Sequence, residues 1–163
     1  MLTARVITCS DGVSRGERED RSGPAVRDLL RANGYAVDEV VVVPDSVAAI
    51  AAQIELATTA GIRLVVTTGG TGISPRDVTP EATMSVCERV VPGFGELMRL
   101  RSLEKTAMAS LSRAQAATRG SALVLNVPGS PKAAVENLQS VLEVIPHALE
   151  LLAGGAVETH PRT

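Results

Sequence analysis

The chain has 163 residues, of which 45% are hydrophobic, and 16 Lys and Arg against 18 Asp and Glu give a formal net charge of -2. This length predicts a single domain with a sizeable core, which we place at residues 1–155, followed by a tail at 156–163. Nucleic-acid binding favours basic surfaces and stacking aromatics, so the balanced charge, with one Tyr, one Phe and no Trp, argues against that function.

The first half of the chain alternates predicted strands with predicted helices. Strands are predicted at 4–8, 37–43 and 62–66, and the valine run in the second indicates a strand covered on both faces. Helices are predicted at 20–33 and 47–59, while the charges within 15–19 are expected to belong to a solvated loop. This alternation predicts an α/β domain with parallel strands and right-handed crossovers.

The second half of the chain has less regular predicted elements. We predict a helix at 81–90, a turn at 92–96, a helix at 97–103 and a connector at 108–112. A hairpin turn at 118–120 then precedes a strand at 121–127. The last helix is predicted at 132–152, with a kink at Pro146. Phe94 is expected to fill a gap in an otherwise aliphatic core.

A glycine-rich loop follows the third predicted strand. Residues 67–72 read Thr-Thr-Gly-Gly-Thr-Gly, and the next helix is predicted to have Thr79 as its N-cap and Pro80 in its first position. The loop has neither the Gly-Lys-Ser/Thr ending of a Walker A motif nor the dinucleotide fingerprint. Its bare backbone N–H groups suit a phosphate, but a tight strand-to-helix turn needs the same glycines for geometry alone. The loop by itself leaves both interpretations open.

Each of the three predicted strands is followed by an aspartate at the same edge of the sheet. These residues are Asp11, Asp45 and Asp77. In open parallel sheets, ligands bind beyond the carboxyl ends of the strands. One Asp there is a common turn residue, but three beside a glycine loop favour a cation-assisted phosphate site. A second turn of small residues, at 128–132, leads into the last helix in the same way.

The remaining reactive side chains give no sign of a redox or zinc site. Cys9 and Cys87 are predicted to be reduced, buried thiols rather than a disulfide, and no Cys-x-x-Cys or His-x-x-x-His spacing is present. His160 falls in the predicted tail. No apolar run is long enough to cross a membrane, and the N-terminus lacks the apolar segment of a signal peptide, so we expect a cytoplasmic protein without membrane contact.

The motifs of the chain resemble, in order, those of the molybdopterin-binding MogA/MoaB family, which includes the G domain of gephyrin. The resemblance spans nearly the whole chain and is carried by Ser10-Asp11, Asp20-x-Ser22-Gly23, Pro44-Asp45, residues 68–72 (TGGTG), 75–83 (PRDVTPEAT), 92–99 (PGFGELMR), 111–113 (LSR) and 126–131 (NVPGSP). The chain departs from the family at Ser46, where an acidic residue is frequent, and at Ala117, where glycine is frequent.

The resemblance implies a three-layer α/β/α sandwich with a mostly parallel sheet, assembled as a homotrimer. It also implies molybdopterin adenylyltransferase activity in molybdenum-cofactor biosynthesis, in which ATP and molybdopterin give adenylyl-molybdopterin and pyrophosphate with Mg²⁺, and contact with other molybdenum-cofactor enzymes. Asp45 and Asp77 fall on the family's two most important aspartates, so they are the implied catalytic residues and Mg²⁺ ligands. The implied nucleotide- and molybdopterin-binding residues are Ser10, Asp11, Thr68, Gly69, Gly70, Thr71, Gly72, Glu96, Ser112, Asn126, Pro128, Gly129 and Ser130.

The two aspartates suit the implied chemistry. A molybdopterin phosphate attacks the α-phosphorus of ATP, and a divalent cation with fixed donors offsets the repulsion between these anions. Mg²⁺ takes one or two carboxylates and keeps several waters, and a phosphate nucleophile is already ionised at neutral pH. Two other functions stay open, namely molybdopterin binding without adenylyl transfer and a scaffold role like that of gephyrin.

We expect the seam of the trimer at residues 92–113. This segment carries more apolar side chains than one short helix can bury alone: Phe94, Leu97, Met98, Leu100, Leu103 and Met108. Cyclic threefold closure uses a heterologous contact, so one face of the segment would meet a different patch on its neighbour.

Overall fold

A computed structural model describes residues 1–154 of the chain. Within this range the strands are β1 (Thr3–Cys9), β2 (Ala36–Val37), β3 (Val41–Val43), β4 (Leu64–Thr68), β5 (Arg89–Val90), β6 (Gln115–Arg119) and β7 (Ala122–Val127). They form one sheet in the order β2-β1-β4-β7-β6-β5, and β3 pairs with β1 beside β2. The predicted tail at 156–163, with His160, lies outside the described residues.

Helices cover both faces of this sheet. They are α1 (Asp11–Ser14), α2 (Ser22–Ala32), α3 (Val47–Thr59), α4 (Thr79–Val86), α5 (Pro92–Leu103), α6 (Pro131–Val141) and α7 (Ile145–Leu152), with a 3₁₀ helix at Ala107–Leu111. Val66 and Leu125 pack in a core shared with α2, α5, α6 and α7, whereas Val65 and Val124 pack in a core shared with α3 and α4. The expected three-layer α/β/α fold is therefore confirmed.

The central strands of the sheet are parallel, as predicted. β1 and β7 both run parallel to β4, while β6 and β5 add an antiparallel edge. Thr8 of β1 and Val127 of β7 both lie opposite Thr68 of β4. The three strands thus end side by side, and the loops that follow them meet at one edge of the sheet.

The prediction of one continuous strand at 37–43, covered on both faces, is wrong. Residues 37–43 form two short strands that pair with different parts of β1, and Val42 is 38% exposed. Ala4 of β1 pairs with Val37, and Ile7 pairs with Val41. The edge segment therefore contains one more residue than β1 between these two pairs. An extra residue of this kind bends an edge strand and interrupts its pairing.

Several predicted element boundaries in the second half also change. The helix predicted at 81–90 ends at Val86, because residues 89–90 pair with β6 instead. The turn predicted at 92–96 is the first turn of α5. Pro92 is tolerated in its first position, because a backbone N–H there would have no acceptor within the helix. The last predicted helix divides into α6 and α7, since Pro146 cannot donate the hydrogen bond of a continuing helix.

Other predictions from the sequence are confirmed. Phe94 is buried in the core among aliphatic side chains, and the hairpin turn lies between β6 and β7, with Gly120 at a φ of 54°. Cys9 and Cys87 are both free thiols, although only Cys9 is fully buried. None of the helices within residues 1–154 is both long and apolar enough to span a membrane.

We expect Gly95→Ala to destabilise the fold, although alanine is the better helix former. A Cβ atom at position 95 would lie 2.7 Å from the carbonyl oxygen of Ala114, so α5 would have to move away from the strand that follows. The cost should be about 1–3 kcal/mol, as for other overpacked sites, measured by urea unfolding.

Gly93→Ala is the matched control in the same helix. A Cβ atom there meets nothing within 4 Å, so this variant should gain up to about 1 kcal/mol from helix propensity. Equal unfolding midpoints for the two variants would show that the close approach of α5 to Ala114 carries no cost.

Candidate functional site

The glycine loop after β4 begins in a backbone conformation that only glycine adopts easily. Gly69 and Gly70 have φ values of 101° and 68°, in the left-handed region that favours glycine. A Cβ atom at Gly69 would collide with the carbonyl oxygen of Cys9, and one at Gly70 would collide with the hydroxyl of Thr79. Backbone geometry alone is therefore sufficient to explain these two glycines, of which Gly69 is buried and Gly70 is partly exposed.

Hydrogen bonds fix the loop to its neighbours. The hydroxyl of Thr79 donates to the carbonyl of Gly69 at 2.8 Å, and α4 begins at Thr79 without a side-chain cap. The prediction that Thr79 caps the helix is thus wrong, because its hydroxyl is used to hold the loop. On the other side, the hydroxyl of Thr68 donates to the carbonyl of Pro128 at 2.8 Å.

The second turn of small residues packs directly on the glycine loop. A Cβ atom at Gly129 would lie 3.2 Å from the Cα of Gly69. Ser130 caps α6, since its hydroxyl accepts from the N–H of Ala133 at 3.1 Å. The second turn therefore leads into a helix N-terminus, as predicted, and it also contacts the first turn directly.

Asp11 and Asp45 hold each other across the sheet edge. The N–H of Asp11 donates to Asp45 Oδ2 at 2.9 Å, and the N–H of Asp45 donates to Asp11 Oδ1 at 3.0 Å. Arg76 donates to Asp11 Oδ2 through Nε at 2.9 Å and Nη2 at 2.7 Å. The guanidinium of Arg76 lowers the pKa of Asp11, whereas burial, and then the charges of Asp11 and Asp77, raise the pKa of Asp45. Asp11 thus orients Asp45.

Asp77 closes the short segment between the glycine loop and α4. Its N–H donates to the carbonyl of Ser74 at 3.0 Å, and its Oδ2 accepts from the N–H of Ser74 at 2.9 Å. A Cβ atom at Gly72 would lie 2.7 Å from Asp77 Oδ2. The third glycine therefore makes room for the Asp77 carboxylate.

Two cavities lie on the two sides of the glycine loop. The first has a volume of about 660 Å³ and includes Asp45, Arg18 and Arg21 in its wall. The second has a volume of about 440 Å³ and includes Arg99 and Ser112. Three residues line both cavities, and the two spaces meet at them: Gly70, Asp77 and Gly129.

Most of the predicted site residues line one of these cavities. The first cavity adds Ser10, Thr68, Gly69 and Ser130, and the second adds Thr71, Gly72 and Pro128. Asp11 lines neither cavity, Glu96 is exposed on α5, and Asn126 is fully buried with its Nδ2 donating to the hydroxyls of Thr67 and Thr83 at 2.9 Å. Asn126 is therefore held in the core beneath the loop.

Arginines are the functional candidates that the sequence analysis missed. Arg18 belongs to the charges expected in a solvated loop, yet it lines the first cavity. Arg99 lines the second and donates to the carbonyl of Ala114 at 2.6 Å. The only signal in the sequence is that Arg99 and Arg113 lie inside family motifs, with nothing to say what they contact.

A cation site would be limited to Asp45 and Asp77, since the third aspartate of the first cavity, Asp20, uses both carboxylate oxygens to accept from Thr8 and Gly23. Among residues 1–154, no cluster of three or more His, Cys, Asp or Glu side chains could hold a metal ion. Asp45 and Asp77 each use one carboxylate oxygen for a backbone N–H, and within the described part of the chain no protein donor bonds to the other oxygen. Any ion held there would take its remaining ligands from water or from a bound anion.

Known proteins of the same family match this chain over nearly its full length. A family model described as a probable molybdopterin binding domain matches residues 5–147. Among curated proteins, a molybdopterin adenylyltransferase of Helicobacter pylori (strain ATCC 700392 / 26695) is 38% identical over 162 residues, covering 96% of this chain and 91% of that protein. That of Escherichia coli (strain K12) is 38% identical over 178 residues, covering 99% and 91%.

Solved structures give the same answer. The molybdopterin biosynthesis enzyme MoaB from Thermus thermophilus has a TM-score of 0.88 and 48% identity, covering 94% of this chain and 98% of that one. The molybdopterin biosynthesis Mog protein from Mycobacterium ulcerans has a TM-score of 0.87 and 33% identity, covering 93% and 99%. As the sequence motifs predicted, the chain belongs to the family of probable molybdopterin binding domains.

Proposed function

We propose that this protein is a molybdopterin adenylyltransferase of molybdenum-cofactor biosynthesis, which transfers the adenylyl group of ATP to molybdopterin and releases pyrophosphate. The observation that carries the proposal is the pair of cavities that share Gly70, Asp77 and Gly129. A transfer between two bound molecules needs two adjoining spaces that meet where the reacting groups touch. The names of the curated relatives support the same activity.

The walls of the cavities combine arginines with carboxylates. Arg18 and Arg21 line the first cavity, and Arg99 lines the second. The first cavity also has four carboxylates in its wall, so an anionic substrate there needs a cation to offset their charge: Glu19, Asp20, Asp45 and Asp77. Between the two cavities, Gly70 has no side chain, so a phosphate oxygen can approach its N–H, whereas the N–H of Gly69 donates to the carbonyl of Val127 at 3.1 Å. The protein's own part in the reaction is to hold the two phosphates together in spite of their charge.

Mg²⁺ fits this site as the remaining part of the machinery. Asp45 and Asp77 line the same cavity, and carboxylate oxygens together with waters and phosphate oxygens are the ligands that Mg²⁺ prefers. The raised pKa of Asp45 agrees with a carboxylate placed for a cation, since its burial and its acidic neighbours disfavour the charge. When bound, Mg²⁺ would offset the charge that develops at the α-phosphate during adenylyl transfer.

The site needs no general base or covalent nucleophile for this chemistry. Cys9 lines the first cavity, but burial raises the pKa of its thiol to about 12, so it carries no thiolate at neutral pH. His147 lies on α7 and lines neither cavity. A phosphate nucleophile is already ionised, and the residues that remain bind and orient.

Molybdopterin binding without transfer is the alternative function. It is supported by the family model over residues 5–147, whose description names molybdopterin binding and no transfer. Pyrophosphate release from ATP, measured with and without molybdopterin, separates the two functions. Transfer predicts release that depends on molybdopterin, whereas binding alone predicts none.

We expect Asp77→Asn to reduce molybdopterin-dependent pyrophosphate release by at least about a hundredfold, because one fixed charge of the site is lost. The asparagine oxygen can still accept from the N–H of Ser74, so the fold and molybdopterin binding should be retained. The Mg²⁺-dependent part of the rise in Tm that ATP causes should also be lost.

Asp38→Asn is the control for this variant. Asp38 is exposed and pairs with Arg5 at 3.4 Å, and it lines neither cavity, so its release rate and its response to Mg²⁺ should match the wild type. Near-normal turnover in Asp77→Asn would remove Asp77 from the mechanism.

A homotrimer also belongs to the proposal, with its seam in residues 92–113. Phe94 and Met98 are buried in the core of the chain itself, so they are not available to a neighbour. Leu100 and Leu103 on α5 remain exposed and line neither cavity, whereas the exposed Met108 and Leu111 line the second cavity. These exposed leucines of α5 support a trimer interface at this segment, since obligate interfaces are more hydrophobic than the rest of a surface.

Sedimentation tests the assembly with two matched leucines. Leu100 on α5 and Leu56 on α3 are both 60% exposed, so an aspartate at either position disturbs the core little. Leu100→Asp should dissociate the trimer, because it places a charge in the seam, whereas Leu56→Asp should not. A wild-type mass equal to one 16.9 kDa chain at micromolar concentration would rule out the trimer.

A further inference from the structure

Arg113 lies between the 3₁₀ helix and β6, and its hydrogen bonds reach the glycine loop. Its backbone N–H donates to the carbonyl of Thr71 at 2.7 Å, and its side chain donates through Nε to Gly72 at 2.8 Å and through Nη2 to the carbonyl of Asp77 at 2.7 Å. Nη1 pairs with Glu81 in the first turn of α4. The guanidinium therefore bonds to both ends of the segment 72–77.

We propose that Arg113 is a positioning residue for adenylyl transfer, which holds the segment 72–77 in the conformation that presents the Asp77 carboxylate to both cavities. The proposal rests on the proposed function. It assigns Arg113 no contact with substrate, because Arg113 lines neither cavity. Its action passes through Gly72 and Asp77.

Side-chain hydrogen bonds, rather than apolar burial, hold the segment 72–77. Residues 73–76 are all exposed, and Ile73 at the tip is 68% exposed. The Ser74–Asp77 turn is internal to the segment, and Arg76 contacts Asp11 from the solvent side. Segments with few buried apolar contacts open at low free-energy cost. Arg76 thus attaches the middle of the segment to the folded domain, and Arg113 attaches its two ends.

The chemistry of these contacts calls for arginine rather than any cation. A guanidinium presents donors in a rigid planar fork, whereas a lysine ammonium is a single point charge on a flexible stem. Carbonyls of residues five positions apart are bridged here by two nitrogens of one fork. Glu81 accepts from the third nitrogen, and the bond lowers the pKa of Glu81, which keeps this partner charged.

The position of Arg113 in the chain also connects it with the second cavity. Leu111 and Ser112, directly before it, line that cavity. A ligand that contacts Ser112 therefore contacts the same short segment that holds Asp77 in place. This arrangement suits a reaction in which both substrates must be present before the reacting groups are aligned.

The test compares Arg113→Lys with a matched substitution far from the site. Arg63 also bonds to backbone carbonyls of two separate segments, through Nε to Ser121 at 2.8 Å and Nη2 to Leu149 at 2.7 Å. It precedes β4, so it lies at the opposite end of the strand from the glycine loop. Arg63→Lys thus removes the same kind of fork and leaves the cavities intact.

Arg113→Lys should lower kcat for molybdopterin-dependent pyrophosphate release by about tenfold to a hundredfold, as expected for a small misplacement of a catalytic group. KM for ATP should change little, because the cavity walls are kept. Backbone hydrogen exchange at the Asp77 amide, which donates to Ser74, should become faster. Arg63→Lys should change neither kcat nor this exchange, even where its Tm falls equally.

Gly72→Ala provides an independent second variant. It moves the Asp77 carboxylate directly, since a Cβ atom there would lie 2.7 Å from Oδ2, so it should lower kcat with Arg113 intact. If Arg113 acts through Asp77, the double variant should lose no more than the larger single loss, because coupled residues are not additive. Glu81→Gln should keep most of kcat, since the two side-chain carbonyl contacts of Arg113 remain.

The results separate this proposal from the proposed function. A wild-type protein without pyrophosphate release would remove the activity, while Asp77 exchange in Arg113→Lys would still test the positioning role. Wild-type kcat in a folded Arg113→Lys, unchanged exchange at Asp77, an equal loss in Arg63→Lys, or multiplicative losses in the double variant would each overturn it. Should Arg113→Lys fail to fold, a wild-type kcat in Gly72→Ala would overturn the link to Asp77.

Discussion

The close approach of three loops at the carboxyl edge of the sheet is the constraint on which the site depends. β1, β4 and β7 are parallel and end level with one another, so the backbones that follow them are pressed together. A side chain at Gly69 would meet Cys9 on one side, and a side chain at Gly129 would meet Gly69 on the other. Glycine at these positions lets the loops touch, and this contact brings Asp45, Asp77 and Ser130 around one space.

Electrostatics then decides how the site is held. The carboxylates of Asp11, Asp45 and Asp77 repel one another, and part of that repulsion is offset by Arg76, which bonds to Asp11 and to the carbonyl of Asp45. The charged form of Asp45 remains disfavoured, because the residue is partly buried and has no side-chain cation as a direct partner within residues 1–154. Groups with a perturbed pKa cluster at functional sites. A divalent cation held by Asp45 and Asp77 would supply the positive charge that Asp45 lacks among its direct partners.

Local pattern predicted the α/β alternation with parallel strands and the edge at which the site lies, because strand and helix periods and turn residues are properties of neighbouring residues. The three layers were implied by the resemblance to the family. Local pattern placed Asp11, Asp45 and Asp77 together for the same reason. It failed where distant segments compete. The bulge after Val37 depends on β1, and residues 89–90 became a strand only because β6 offers them partners. Arg113 bonds to Gly72 across 41 positions, and no local pattern predicts such a contact.

A catalytic loop of this kind faces two opposing requirements. It must stay exposed and polar to admit substrates, so it cannot be fixed by apolar burial. It must also hold its carboxylate within a fraction of an ångström for chemistry. Charge-assisted hydrogen bonds from arginines to backbone carbonyls meet both requirements, since they are strong and directional without covering the loop. Arg113 bonds in this way to Gly72 and Asp77, and Arg99 to Ala114 beside the second cavity. The rigidity of the site therefore comes from side chains that its substrates do not touch as much as from those that they do.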